Sequence, residues 1–256
     1  MTASPLNSSG APKLPPAIIL AGGLGTRLRP VYSAGPKSMA PVADRPFLDY
    51  VLTWLRDQGV EDVVLCVGYK RSSIRKFVRK GRKWGLRVRY SVETQLLGTG
   101  GAVKKAQPLI SGDTVLVING DTLLRVNLRD LVEFHKRRRA AATLTTVKMK
   151  DHQRYGSVSL DRSNRIIRFR EKNVMLARTP TALINGGVYV FATAIFNRLQ
   201  SRRPISLEKD VFPQLAADRR TYGFITSAPF IDIGVPDDFR RAQVEFRERH
   251  SFGDSH

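Results

Sequence analysis

AIILAGGLGTRLRP, Ala17 to Pro30, carries an apolar strand straight into a glycine-rich turn that ends on an arginine. Gly22, Gly23 and Gly25 lack a Cβ, so their backbone N–H groups can approach an anion closely, and Arg27 adds a fixed charge with a fork of donors. The turn is therefore built to hold phosphates; a flexible strand exit without a ligand is the plainer alternative. A dinucleotide fingerprint is disfavoured, because Leu28 stands where the third glycine would let helix and strand pack. A Walker loop is disfavoured too, because no Gly-Lys-Ser/Thr follows at the required offset.

The 256 residues, 42% of them hydrophobic, suffice for one large α/β domain or two small ones. No run has the apolar length of a membrane helix, and the N-terminus lacks a charged-then-apolar leader, so a cytoplasmic protein with no membrane partner is expected. Cys66 is the single cysteine and lies in the apolar run Val63 to Val67, which reads as a buried small hydrophobe. His135, His152, His250 and His256 show no metal-ligand spacing. The net charge of +21 concentrates between Lys70 and Arg89, with ten Lys or Arg and no acid. There Ile74, Phe77, Val78 and Trp84 fall on one side, leaving the cations on a solvated face, and nucleic-acid binding is the minority reading.

Met1 to Pro16 is rich in Ser, Pro, Ala and Gly and reads as a disordered tail. The domain is expected over residues 17–249, with a C-terminal tail over 250–256. Phe47, Tyr50, Val51, Trp54 and Leu55 mark a helix stopped by Gly59. Strands are expected at Val63 to Val67, Arg87 to Val92 and Thr114 to Ile118, with a short helix from Gly101 to Gln107. That alternation is the pattern of a parallel sheet with right-handed crossovers. A helix over Leu128 to Arg139 follows, then strands at Ala141 to Val147, Ser157 to Leu160, Arg165 to Arg170, Gly187 to Phe191 and Phe230 to Ile233. Helices at Ala194 to Gln200, Leu207 to Ala217 and Pro236 to Arg249 interrupt them. The fold class is α/β, one domain with a mixed sheet.

Ligands of open α/β sheets bind beyond the carboxyl ends of the strands. The glycine turn, Glu93 and Asp121 all follow strands there, and Asp232 lies in the strand near the chain's end. Two carboxylates brought together can hold a hard divalent cation that bridges phosphate oxygens. Singly, each aspartate is equally a turn-former.

The motifs LAGGLGTRL, PKSMAPV from Pro36, LGTGGA from Leu97, NGD at Asn119, YGSV at Tyr155, EK at Glu171, NGGVYVF at Asn185 and DIGVPDDF at Asp232 occur in one order along the chain. In these the chain resembles the sugar-1-phosphate nucleotidyltransferases. RPVYSAGPKSMAP, LINGGVYVF and FIDIGVPDDF are most similar to those acting as D-glycero-D-manno-heptose 1-phosphate guanylyltransferases. The resemblance implies a single Rossmann-like domain with a mixed, mainly parallel sheet flanked by helices. It assigns Arg27, Lys37 and Lys172 to catalysis. Leu20, Ala21, Gly22, Gly23, Gly25, Thr26, Glu93, Gly98, Thr99 and Asn119 would bind the nucleotide. Gly156, Glu171 and Asn185 would bind the sugar, and Asp121 and Asp232 would hold Mg²⁺. The partners implied are an NTP and a sugar 1-phosphate, with a homo-oligomer compatible.

Two positions depart from the family pattern: Ser38 stands where proline usually follows the lysine, and Leu96-Leu97 replaces Pro-Leu. The first removes a backbone restraint. GTP is favoured because the Glu93 carboxylate accepts two hydrogen bonds and guanine presents two adjacent donors, where uracil and thymine present one. Mannose-1-phosphate guanylyltransferase or another sugar-1-phosphate nucleotidyltransferase is the nearest alternative, and a non-catalytic sugar-nucleotide sensor or nucleic-acid-associated subunit the remote one.

Overall fold

The computed structural model describes residues 13–150, 155–170, 181–199 and 204–251. The run before the glycine turn forms β1 (Ala17–Leu20), and a small hairpin of β2 (Pro41–Val42) and β3 (Arg45–Pro46) leads into α1 (Phe47–Asp57). Then come β4 (Asp62–Val67), α2 (Arg71–Val78), β5 (Arg87–Val92), α3 (Gly98–Ala106) and β6 (Thr114–Asn119). The second half runs β7 (Thr122–Leu124), α4 (Leu128–Arg137), β8 (Ala142–Met149), β9 (Ser157–Leu160), β10 (Ile166–Arg170) and β11 (Ala182–Ala192). It closes with α5 (Phe212–Ala217), β12 (Thr221–Thr226), β13 (Phe230–Asp232) and α6 (Pro236–Ser251).

β1 sits in the middle of a nine-stranded sheet ordered β10-β9-β11-β6-β1-β4-β5, with β8 on β11 and β12 on β8. β6, β1, β4 and β5 are mutually parallel, so their carboxyl ends share one edge. These strands are apolar at nearly every position because both faces are covered. Ala17, Ile19, Val63, Leu65, Leu116 and Ile118 pack on one side with α1, α2, α4 and α6. Ile18, Val64, Cys66, Val115 and Val117 pack on the other with α3 and α5, which leaves Cys66 fully buried as expected. Each fully buried large side chain, such as Phe47 or Tyr189, contributes on the order of 2 kcal/mol. α2 buries Ile74 and Val78 and turns Arg71, Arg75, Lys76, Arg79 and Lys80 to solvent.

Several boundaries differ from the sequence reading. Packing begins before Ala17: Leu14 is buried in the core and Lys13 pairs with Glu61 at 2.7 Å. Residues 1–12 and 252–256 of the expected tails lie outside the described residues, and α6 runs past Arg249 to Ser251. β7 and β12 were not expected. β11 continues through the Asn185–Gly187 stretch that reads locally as a turn, because a register shift there is absorbed by Gly187 at φ 74°. α3 starts at Gly98 rather than Gly101. The helix expected from Ala194 is a 3-10 turn over Thr193–Arg198, and Leu207–Val211 is one π-helical turn ahead of α5.

Candidate active site

The shared edge of β1, β5 and β6 opens onto a cavity of about 610 Å³. Leu20, Ala21, Gly22, Gly23, Gly25, Arg27, Lys37, Glu93, Gly98, Thr99, Asn119, Asp121, Gly156, Asn185 and Asp232 all line it. Thr26, exposed at the head of its turn, is not among the lining residues. Glu171 and Lys172 lie outside the described residues.

Glu93 follows β5, its N–H donating to Val67 O at 2.8 Å, and only 7% of the residue is exposed. Its Oε2 accepts from the Leu97 N–H at 3.3 Å. Burial raises its carboxyl above the usual range, with the Leu97 N–H and then Lys105 opposing. The carboxylate presses against Gly22 so closely that a Cβ there would overlap Oε1. A side chain at that position would force the Glu93 carboxylate to move.

Lys37 enters from a 3-10 turn, Lys37–Met39, and forms an ion pair with Asp121. Burial alone lowers its ammonium pKa, but Asp121 and Asp232 raise it by more, against a smaller push from Arg27. The net shift is upward, so Lys37 is a permanent cation at neutral pH. The two aspartates meet through strand pairing. β13 runs antiparallel to β7 with Asp232 opposite Thr122, and the Ile233 N–H donates to Asp121 O at 3.0 Å. Asp232 Oδ1 also accepts from the Gly234 N–H.

Asn185 and Gly156 are joined directly, Asn185 N–H donating to Gly156 O at 2.8 Å. The Asn185 amide is oriented by donating to the buried Tyr189 hydroxyl at 2.8 Å and accepting from the Gly187 N–H at 3.1 Å. Burial, more than its neighbours, pushes the Tyr189 phenol well up, so it stays neutral.

Glu208, Lys209, Tyr155 and Leu96 also border the cavity and were missed from sequence. Glu208 Oε2 accepts from the hydroxyls of Thr99 and Ser206, both at 2.9 Å, and Leu207 N–H donates to Thr99 Oγ1 at 2.7 Å. With Ile205 N–H on Leu97 O and Gly100 N–H on Ile205 O, both 2.8 Å, residues 205–208 are stitched to the loop that carries Gly98 and Thr99. Ser206 to Asp210 reads only as a helix start, and nothing local points it at the cavity. Tyr155 donates to the buried Asp238 at 3.0 Å and so ties α6 to the cavity wall.

A family model described as Nucleotidyl transferase matches residues 16–249. The chain is 44% identical over 231 residues to a D-glycero-alpha-D-manno-heptose 1-phosphate guanylyltransferase of Aneurinibacillus thermoaerophilus, covering 90% of this chain and 98% of the relative. It is 37% identical over 231 residues to a mannose-1-phosphate guanylyltransferase of Mycobacterium tuberculosis, covering 90% of this chain and 64% of that longer protein. Among solved structures, HddC from Yersinia pseudotuberculosis complexed with GMP-PN superposes with a TM-score of 0.79 at 33% identity, over 91% of this chain and 100% of that one. The cavity at the glycine turn, the strand order around it and these likenesses lead to one assignment: the chain belongs to the nucleotidyl transferase family.

Proposed function

We propose that this protein transfers GMP from GTP to D-glycero-α-D-manno-heptose 1-phosphate, forming the GDP-sugar and releasing pyrophosphate. The observation that carries the reading is the convergence on one cavity of the glycine turn, Arg27, Lys37 and the Asp121–Asp232 pair, with Glu93 and Asn185 on the same lining. A relative named for that activity, matched over nearly its whole length, supports the choice of sugar and base.

An oxygen of the sugar phosphate attacks the α-phosphorus, the α–β bridging P–O bond breaks, and pyrophosphate leaves with the bonding pair. The attacking oxygen is already anionic near neutral pH, so the protein's work is alignment and charge neutralisation. Arg27 and the backbone of Gly22 to Gly25 hold the triphosphate, and Lys37 balances charge as it shifts toward pyrophosphate. Glu93 accepts from guanine, while Asn185 and Gly156 face the sugar. Glu171 and Lys172 join them by family resemblance. The donor set fits Mg²⁺: Asp121 and Asp232 are hard oxygen ligands, and no cluster of three His, Cys, Asp or Glu forms among the described residues, so substrate oxygens and water would complete its shell. Mg²⁺ held there would supply charge neutralisation on the phosphates.

Mannose 1-phosphate is the second acceptor to test, given the 37% identical relative. Pyrophosphate release from GTP, ATP, UTP, CTP and dTTP, each paired with heptose, mannose and glucose 1-phosphates, tests the proposal. GTP with the heptose phosphate should show the highest kcat/KM; no release from any pair in Mg²⁺ would overturn it.

A further inference from the structure

Ser38 follows Lys37 in the same tight turn. Serine carries two donors, a backbone N–H and a hydroxyl. The residue lines the cavity and is 4% exposed, yet its Oγ makes no hydrogen bond among the described residues. An unpaired buried hydroxyl is unfavourable, and alanine would remove it at no cost to packing of this size. Asn119 Oδ1, on the same cavity lining, is a second buried polar atom without a hydrogen bond among the described residues.

The turn that carries the hydroxyl is braced: Met39 N–H donates to Pro36 O at 2.8 Å and Ala40 N–H to Lys37 O at 3.0 Å. The backbone that carries the Ser38 hydroxyl is therefore set before any substrate arrives. Its neighbours on the lining, Arg27, Lys37 and the glycine turn, are groups that gather around phosphate. We infer that Ser38 donates a hydrogen bond to a phosphoryl oxygen of the bound substrates, a contact a proline at this position cannot make. The inference rests on the nucleotidyl-transfer reading. The phosphoryl group belongs either to the nucleotide or to the sugar phosphate.

Ser38→Ala and Ser38→Pro test it, with thermal midpoints and KM measured side by side. Without substrate, Ser38→Ala should melt about 1–3 °C higher, because the unpaired hydroxyl is gone. KM for one phosphate substrate should rise about 10-fold, and the upward shift in midpoint which that substrate induces should shrink. Separate titrations with GTP and with heptose 1-phosphate identify which phosphoryl group is contacted. Higher stability with weaker binding is a combination that a purely structural serine does not produce. Ser38→Pro should match Ser38→Ala in KM, and it keeps the test open if the alanine variant expresses poorly. KM values and ligand-induced shifts unchanged within twofold for both substrates would overturn the inference, as would a lower substrate-free midpoint in Ser38→Ala. Inactivity of the unmutated enzyme with every pair would instead sink the functional reading, and the triphosphate-induced melting shifts would still judge Ser38.

Discussion

Asp121→Asn keeps the shape of the side chain and deletes the charge that Lys37 faces. The two side chains are 16% and 22% exposed, so the pair sits in largely desolvated surroundings. Unit charges 4 Å apart attract by about 4 kcal/mol at an effective dielectric of about 20, and desolvation cancels much of that gain. Removing one partner leaves Lys37 buried with Asp232 alone, a net loss of about 2 kcal/mol, or about 4–8 °C in melting midpoint for a chain of this size. The pH dependence gives a sharper check. Lys37's folded pKa lies above its ordinary value, so its stabilisation is present at neutral pH and lost only as pH rises through that value. In the variant, burial prevails and the pKa falls below the ordinary value, so the destabilisation is greatest at neutral pH and relaxes as Lys37 loses its proton. The gap between the two proteins should therefore narrow between pH 7 and pH 10 in scanning calorimetry, while turnover falls by about 10² or more. Equal midpoints at pH 7, or a constant gap across that range, would refute the argument.

Glu93 has the opposite sign: burial raises its folded pKa, so its contribution to stability is present in acid and lost as pH rises through that value. Glu93→Gln should consequently melt higher than the parent at pH 8 and yet lose about 10-fold in kcat/KM for GTP relative to UTP; an unchanged ratio removes Glu93 from base reading. Gly22→Ala forces a methyl into the Glu93 carboxylate and should cost about 2 kcal/mol with a raised KM for GTP. Combining it with Glu93→Ala should restore the midpoint, and failure to do so would place the clash elsewhere. Buried His135, whose Nδ1 lies 2.9 Å from Thr143 Oγ1, has its pKa lowered to about 4 by burial first, with Lys136 adding and Asp113 opposing. Its stabilisation, on the order of 3 kcal/mol, is present above the unfolded value and lost as pH falls from about 6.5 toward 4. His135→Gln should flatten the acid limb of a midpoint-versus-pH curve, and an unaltered limb would show that another group governs it.

The parallel half of the sheet was legible in the chain because its signals are local. β1, β4 and β6 are continuous apolar runs, α1 has helical spacing, and the glycine turn follows β1 immediately. The residues beyond those strands could therefore be named, and most of them line the cavity. What sequence periodicity could not decide is where a distant segment returns. β12 has a weak local pattern interrupted by Gly223, and it is a strand because β8 offers it a parallel edge along Ala142 to Val147. Asn185-Gly186-Gly187 has the composition of a turn, but pairing on both sides holds it within β11 as a bulge. Asp232 reaches Asp121 through the β7–β13 pairing, and Glu208 reaches the cavity because residues 205–208 are hydrogen-bonded to the loop that carries Gly98 and Thr99. Local signals thus showed which segments bury both faces and where the phosphate-holding turn lies, since neighbours a few residues apart set those properties, and the motifs named Asp121 and Asp232 together. How those two carboxylates meet, and that the Ser38 hydroxyl has no partner among the described residues, follows only from the fold, because both depend on long-range pairing that no local window contains.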